Sequence, residues 1–284
     1  MVPKRVQAET NSMDILDINE VAEHVNDGNV FHFPFHLPGE IPAWMTNLGI
    51  TRYVVIELIV AVIMIAMFVT YAGKIRGGKA AKGRFWNALE VFLLYIRDNV
   101  VRPSIGKKEV ADRFLPYIWT LFFFVLGCNL MGLIPWMGSP TGSLSLTAIL
   151  AITTFVIGCG SGMMKYGVAG FWLGQVPHVD VPPAMALVIK PLLFVIEIFG
   201  LIIKHCVLAI RLLANMFAGH MVIAVMMAFI SGTAAYGLLW YPVVCGSIGF
   251  CICMSLLELL VALIQAYIIS FLSAIFIGMA IHQH

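Results

Sequence analysis

The sequence predicts an all-α polytopic membrane protein: about five transmembrane helices, the last two a long, strongly tilted hairpin, plus one interfacial helix. Three observations carry this. Of 284 residues, 61% are hydrophobic and only 11% charged, whereas a soluble domain carries about 25% charged residues; the mean hydropathy is +0.94. Charge is also spread unevenly: beyond residue 119 the only Asp, Glu, Lys or Arg residues are Lys165, Asp180, Lys190, Glu197, Lys204, Arg211 and Glu258. Finally, the apolar stretches reach or exceed the ~20 residues that a bilayer crossing needs. Such a chain lacks the polar surface of a water-soluble enzyme, a nucleic-acid binder or a disordered scaffold. Its formal net charge of +2 says little about partners.

Residues 1–52 form a polar N-terminal segment, expected outside the cytoplasm, and 53–284 the membrane domain. No apolar stretch follows the start, so no cleavable signal is expected. The segment FHFPFHLPGEIP (31–42) holds His32 and His36 without a third ligand, and reads better as an ordered flap at the membrane surface than as a metal site. The first span is 53–72. Lys74, Arg76, Lys79, Lys82 and Arg84 follow it without an acid, which places that loop on the cytoplasmic or matrix side. Residues 85–113 mix apolar and charged side chains at helical spacing, and the first part reads as a helix in the interface, broken at Pro103.

The second span is 114–134, ended by Pro135 and an uncharged turn at 136–143. The third is 144–163, with Lys165 opening a polar connector that Pro182 and Pro183 close. The last two spans, 184–230 and 238–281, differ in kind. Proline is absent from 192–241 and from 243–284. As helices at about 1.5 Å per residue these runs would measure roughly 60–75 Å, against ~30 Å of hydrocarbon. The segment SGTAAYG (231–237) is expected to break the first run. Each long run is then either two elements or one helix tilted far from the membrane normal, and the tilted hairpin is preferred. No internal repeat is visible.

The six cysteines lie in apolar stretches without a CxxC pair and read as packed thiols. No metal site and no cofactor is expected. Haem would need paired inward histidines, and His205 with His220 on one helix is a weak candidate pair. No phosphate loop, nucleophile elbow or HExxH motif is present, so no catalytic site is expected on this chain.

An ionisable side chain in hydrocarbon costs at least about 2.5–3.5 kcal/mol on insertion scales, so each one needs a reason. Glu197, Lys204 and Arg211 recur every seven residues and share one helical stripe, with Asn215 one turn on. Lys204 can snorkel or pair within the stripe. Arg211 is a permanent cation among small residues, Ala209, Ala214, Ala218 and Gly219. Small residues permit close approach by another helix, so Arg211 suits a carboxylate on a partner helix; a structural Arg–Glu pair within the chain is the alternative. His220, nine residues on, falls about 180° around the helix from Arg211. Glu258 and Gln265 are seven apart on one face, and an antiparallel hairpin could bring Glu258 near His220. That pair is either a proton relay, since imidazole titrates near neutrality, or a buried pair that fixes the hairpin. The residues alone do not choose.

The stretch IRLLANMFAGH (210–220), with FFFVLGCNLMGLIP (122–135), the Lys190-Pro191 pair and ELLVALIQAYIISFLSAIFIGMAIHQH (258–284), closely resembles subunit a of the F-type ATP synthase. The resemblance covers most of the chain, and the R-x-x-x-N-M-x-A-G core is highly specific. It implies the proton-channel subunit of the membrane stator. Arg211 matches the stator arginine facing the rotor ring, and Asn215 the asparagine one turn away. Gln265 matches the glutamine packed opposite the arginine, Asn129 the asparagine near the outer access channel, and Glu197 an acid of the inner half-channel. Lys204 matches a lysine found in some members without a firm role. Some bacterial members carry an acid where His220 stands and a histidine where Glu258 stands; the exchange keeps one of each and resembles the mitochondrial and alphaproteobacterial-like pattern. Gly132 takes a position that is acidic in some bacterial members, so that group contributes nothing here.

The resemblance further implies partners: the rotor c-ring, the peripheral-stalk b subunits, other ATP synthase subunits and membrane lipid, with no nucleic acid. The expected location is the bacterial cell (inner) membrane, ahead of the mitochondrial inner membrane. Two other functional classes are compatible with an apolar chain carrying few intramembrane charges. A secondary transporter anchored on Arg211 would need discontinuous helices, against which the long proline-free runs argue. A structural membrane subunit of a respiratory complex would make Arg211 an assembly contact only.

Overall fold

The computed structural model describes residues 30–32, 38–40, 51–75, 83–134, 140–174, 183–233 and 240–281. Five helices among them are long and apolar enough to cross a membrane: Arg52–Ile75, Lys108–Gly132, Leu144–Trp172, Ile189–Ile230 and Trp240–Ile281. The physical cause is the solvent. Where no water can pair with N–H and C=O groups, a chain satisfies its backbone internally, and a long apolar run does so as a helix. The architecture is all-α apart from one short hairpin, β1 (Val30–His32) paired antiparallel with β2 (Pro38–Glu40), His32 opposite Pro38. This hairpin falls inside the proline-rich segment read as a flap. The acid-rich residues before it, and Arg76, Lys79 and Lys82 of the basic loop, lie outside the described residues.

The first crossing helix is α1 (Arg52–Ile75). Its successor α2 (Arg84–Tyr95) runs into a π-helical stretch at Ile96–Val101 and then into α3 (Arg102–Ile105). The expected break at Pro103 does not occur. Pro103 sits in the first turn of α3, where a missing N–H costs least, directly after the wider π turn. The helix ends instead at Gly106, whose φ of 87° is open to glycine at little cost.

The next crossing helix, α4 (Lys108–Gly132), contains Pro116. It is followed by a 3₁₀ turn at Pro140–Gly142 and by α5 (Leu144–Leu173). Helix α5 passes the expected end of the third span: it continues beyond Lys165 to Leu173 and kinks at Gly167, where φ is 76° and ψ 164°. The first part of the supposed polar connector is therefore helical, because its few polar groups lie on the helix surface while Phe171 is buried. The rest of the connector, 175–182, lies outside the described residues. Helices α6 (Pro183–Gly232, 50 residues) and α7 (Trp240–Ile281, 42 residues) are the two long elements. Straight helices of those lengths would exceed 60 Å, twice the hydrocarbon thickness. Pro191 lies inside α6 rather than at its start.

The chain packs as two compact units. The first comprises Met1–Val60, Gly127–Ser143 and Leu212–Leu263, the second Ala61–Leu126, Leu144–Arg211 and Ile264–His284. In the first unit Tyr53, Ile56 and Val60 form one buried face of α1. Val60 packs on Gly127 of α4 so tightly that a Cβ there would lie 2.6 Å from Val60 Cγ1. Leu212 and Met216 of α6 and Ala262 of α7 are also buried in this unit.

In the second unit α7 buries small residues, Ala266, Ser270, Ser273 and Ala274, among bulky ones such as Ile269, Phe276 and Ile277. Small side chains let helix backbones approach, and at Gly278 the Ser104 carbonyl of α3 occupies the space a Cβ would take. The indole of Trp119 on α4 donates to the Leu93 carbonyl at 3.1 Å, where the π-helical stretch begins. At the end of α7, Lys165 Nζ and Tyr166 Oη both donate to the Ile281 carbonyl, at 2.6 and 2.7 Å.

Candidate functional site

The first unit holds four of the expected residues, on α4, α6 and α7. Asn129 of α4 is fully buried and donates through Nδ2 to the Ala262 carbonyl of α7, 3.3 Å away. Its Oδ1 has no hydrogen-bond partner among the described residues. Glu258, one turn before Ala262, is 5% exposed. Its carboxylate rests on Gly219 of α6: a Cβ at 219 would lie 2.7 Å from Glu258 Cδ. His220 is the next residue of α6; its side chain lies outside the described ones. Asn215 is half-buried on the same helix.

Glu57, absent from the expected set, also belongs to this unit. It is a half-buried carboxylate one turn before Val60 on α1, within electrostatic reach of Cys128, the neighbour of Asn129. Because α1 meets α4 at Val60 and Gly127, Glu57 and Asn129 lie on the same side of that crossing. The signal was present in the sequence, as the one acid within the otherwise uncharged stretch 53–72.

The second unit holds the other residues. Arg211 is exposed, flanked by exposed Ile210, and makes no ion pair among the described residues; the intrachain Arg–Glu pair therefore gains no support. Its backbone is held instead. Gln265 of α7, 3% exposed, donates through Nε2 to the Arg211 carbonyl at 3.4 Å, while its Oε1 has no partner among the described residues. Back along α6, half-buried Glu197, exposed Lys204 and buried His205 line a partly open cavity of about 50 Å³, together with Cys159 and Phe171 of α5 and Phe276 of α7. Of the expected stripe, Glu197 and Lys204 line this cavity, and Lys204 and Arg211 are both exposed.

All six cysteines are free thiols, and no cluster of three or more metal-ligating side chains exists among the described residues. Arg97, Asp98 and Arg102, ahead of α4, form one ion-pair network with Asp112 in the first turns of α4, with distances of 2.9, 2.9 and 3.2 Å. The hydrogen bond from Arg97 holds the Asp98 carboxyl below its ordinary range, and the Arg97 guanidinium is held above its own by the same bond.

Arg211 thus presents an exposed guanidinium on an apolar helix face, with the buried amide of Gln265 on its own carbonyl. The family described as ATP synthase A chain matches residues 54–278. ATP synthase subunit a of Chloroherpeton thalassium is 37% identical over 271 residues, 92% of this chain and 76% of that protein. Subunit a of Myxococcus xanthus is 35% identical over 252 residues, 86% of this chain and 79% of the relative. ATP synthase subunit a 2 of Chlorobaculum tepidum is 38% identical over 270 residues, covering 92% and 72%.

Proposed function

Since the chain belongs to the ATP synthase A chain family, the proton-translocating stator subunit of the F-type ATP synthase, we infer that Arg211 separates two proton half-channels in it. The protein is a multi-pass membrane subunit and assembles with other subunits of the synthase. Its direct partners in this reading are the rotor c-ring and the peripheral-stalk b subunits, within a bacterial inner membrane. ATP chemistry belongs to other subunits.

Protons from the outer side pass Glu57, Asn129, His220, Glu258 and Gln265 and reach a rotor carboxylate. Neutralised, that carboxylate can move through lipid, where its charged form would be prohibitively costly. Returning to the stator, it meets Arg211, whose fixed charge favours the ionised carboxylate and so releases the proton. The proton leaves past Glu197, with Asn215 beside the arginine. Arg211 also opposes a leak, because a permanent cation repels a proton crossing directly from one half-channel to the other. Each proton supplies about 2.3 kcal/mol per 100 mV, so one molecule of ATP requires several. Glu57 is the carboxylate of the outer path on α1 in this reading, since Gly132 offers none.

The observation that carries this reading is the state of Arg211: exposed, with its carbonyl held by Gln265, and with no ion pair among the described residues. A cation at membrane depth needs a counter-charge, and an exposed one can receive it from another subunit. The uninterrupted α6 and α7 offer no half-helix pair of the kind a secondary transporter uses. The test is ATP-driven proton pumping in inverted vesicles, native against Arg211→Ala, with assembly followed by co-purification of the rotor ring. Loss of pumping in an intact complex is expected. Normal pumping would return Arg211 to a structural contact, and failure of assembly that Arg211→Lys repairs in full would favour the structural-subunit reading.

A further inference from the structure

We propose that His205 is a proton-loading residue of this subunit, taking up and returning a proton at Nε2 through the cavity it shares with Glu197. The imidazole is 5% exposed, between Phe155 at 5.2 Å and Phe276 at 4.5 Å between ring centroids. Its Nδ1 lies 2.9 Å from the Leu201 carbonyl oxygen, one turn back on α6. A carbonyl oxygen can only accept, so Nδ1 carries the hydrogen and Nε2 of the neutral ring is a bare lone pair. That Nε2 is buried and has no hydrogen-bond partner among the described residues. The ring is one wall of the cavity of about 50 Å³, and a single water needs roughly 10–15 Å³.

The other titratable or charged groups facing this space are Glu197 and Lys204 from α6 itself and Cys159 from α5; α7 contributes Phe276, Met279 and Ala280, none of which titrates. A protonated Glu197 carboxyl breaks its O–H bond, water in the cavity carries the proton to the imidazole, and an N–H bond forms at Nε2 once a small shift of the ring opens that buried atom to the water. The products are a carboxylate and an imidazolium across one cavity, with Lys204 as the only other cation in its wall. Unloading reverses each bond. Because Nδ1–H stays tied to Leu201, the proton leaves from the atom it entered. His205 is therefore a side store filled from the cavity, and not a link that passes protons through the ring. Its charge state sets how readily Glu197 ionises.

The proposal rests on Glu197 belonging to the inner half-channel, and the test separates the two. Passive proton flux and ATP-driven pumping of the assembled complex in inverted vesicles would be followed from about pH 5.5 to 8.5 for the native protein, His205→Gln, His205→Phe and Glu197→Gln. Loss of flux at every pH in Glu197→Gln supports the half-channel reading, and unchanged flux defeats it. For His205→Gln and His205→Phe alike, the native-to-variant flux ratio is expected to change about two- to tenfold across the histidine range and to level off on either side. A ratio constant with pH would make His205 a packing residue and overturn the proposal. The ¹⁵N shift of His205 in the labelled native complex tests it without any substitution. Titration at Nε2 with Nδ1 still protonated is expected, and a ring that stays neutral down to about pH 5 would overturn it.

Discussion

The carboxylate of Glu258 on α7 lies directly against Gly219 of α6, close enough that no side chain fits between them. This contact brings a membrane carboxylate against the residue preceding His220, so that any Cβ at 219 has to push the end of the Glu258 side chain aside. Gly219→Ala is expected to displace the carboxylate at little cost in stability, since the end of a flexible side chain can give, and to slow proton pumping in assembled complexes. Glu258→Asp, one methylene shorter, should recover part of the loss in the double variant. Additive losses in pumping-rate measurements would remove the contact from the explanation.

The bond from Gln265 to the Arg211 carbonyl holds the arginine's backbone without neutralising its side chain. Gln265→Leu should cost about 0.5–1.5 kcal/mol and lower the pumping rate while leaving subunit association intact. Gln265→Asn, which keeps the amide but shortens its reach, should behave almost as badly. Native rates in both variants would show that the bond plays no part in positioning Arg211.

For Glu57 the expectation is a compensated position. Glu57→Gln should reduce proton flux by about tenfold, at the low end of what a positioned proton-transfer group contributes. Gly132→Asp in the same chain should restore part of it, by returning a carboxylate to the place where some bacterial members carry one. Flux measured at saturating driving force decides; an unaltered Glu57→Gln flux would assign that carboxyl to packing alone.

The Arg97–Asp98–Arg102–Asp112 network gives a pH dependence of stability with a definite sign. The folded state holds Asp98 below its ordinary value of 3.8 through the hydrogen bond from Arg97. Its stabilisation is therefore complete above the unfolded value and is lost as pH falls through the lower folded one. Asp98→Asn should lower the Tm of the detergent-solubilised complex by a constant amount above about pH 5, and by progressively less in more acid solution. Both differences should shrink at high salt, because the pairs are exposed.

The sequence by itself determined the number of crossing helices, their order and the ionisable residues they carry. The reason is that a bilayer admits long apolar backbone as helix, so length and hydropathy suffice. The same reasoning exposed Arg211, Glu197 and Glu258, because a charge in an apolar run is conspicuous. It did not locate the end of the interfacial helix at Gly106 or the kink at Gly167, since both depend on backbone angles rather than composition. Nor did it value Glu57, whose significance lies in an α1–α4 crossing at Val60 and Gly127, residues 67 positions apart in sequence. Only the tertiary structure decided which polar groups meet: Glu258 with Gly219, Gln265 with the Arg211 carbonyl, and His205 with Glu197 around one cavity. Helical periodicity places residues on a face, but what that face touches is set by the register between helices, which packing of small residues against bulky ones selects.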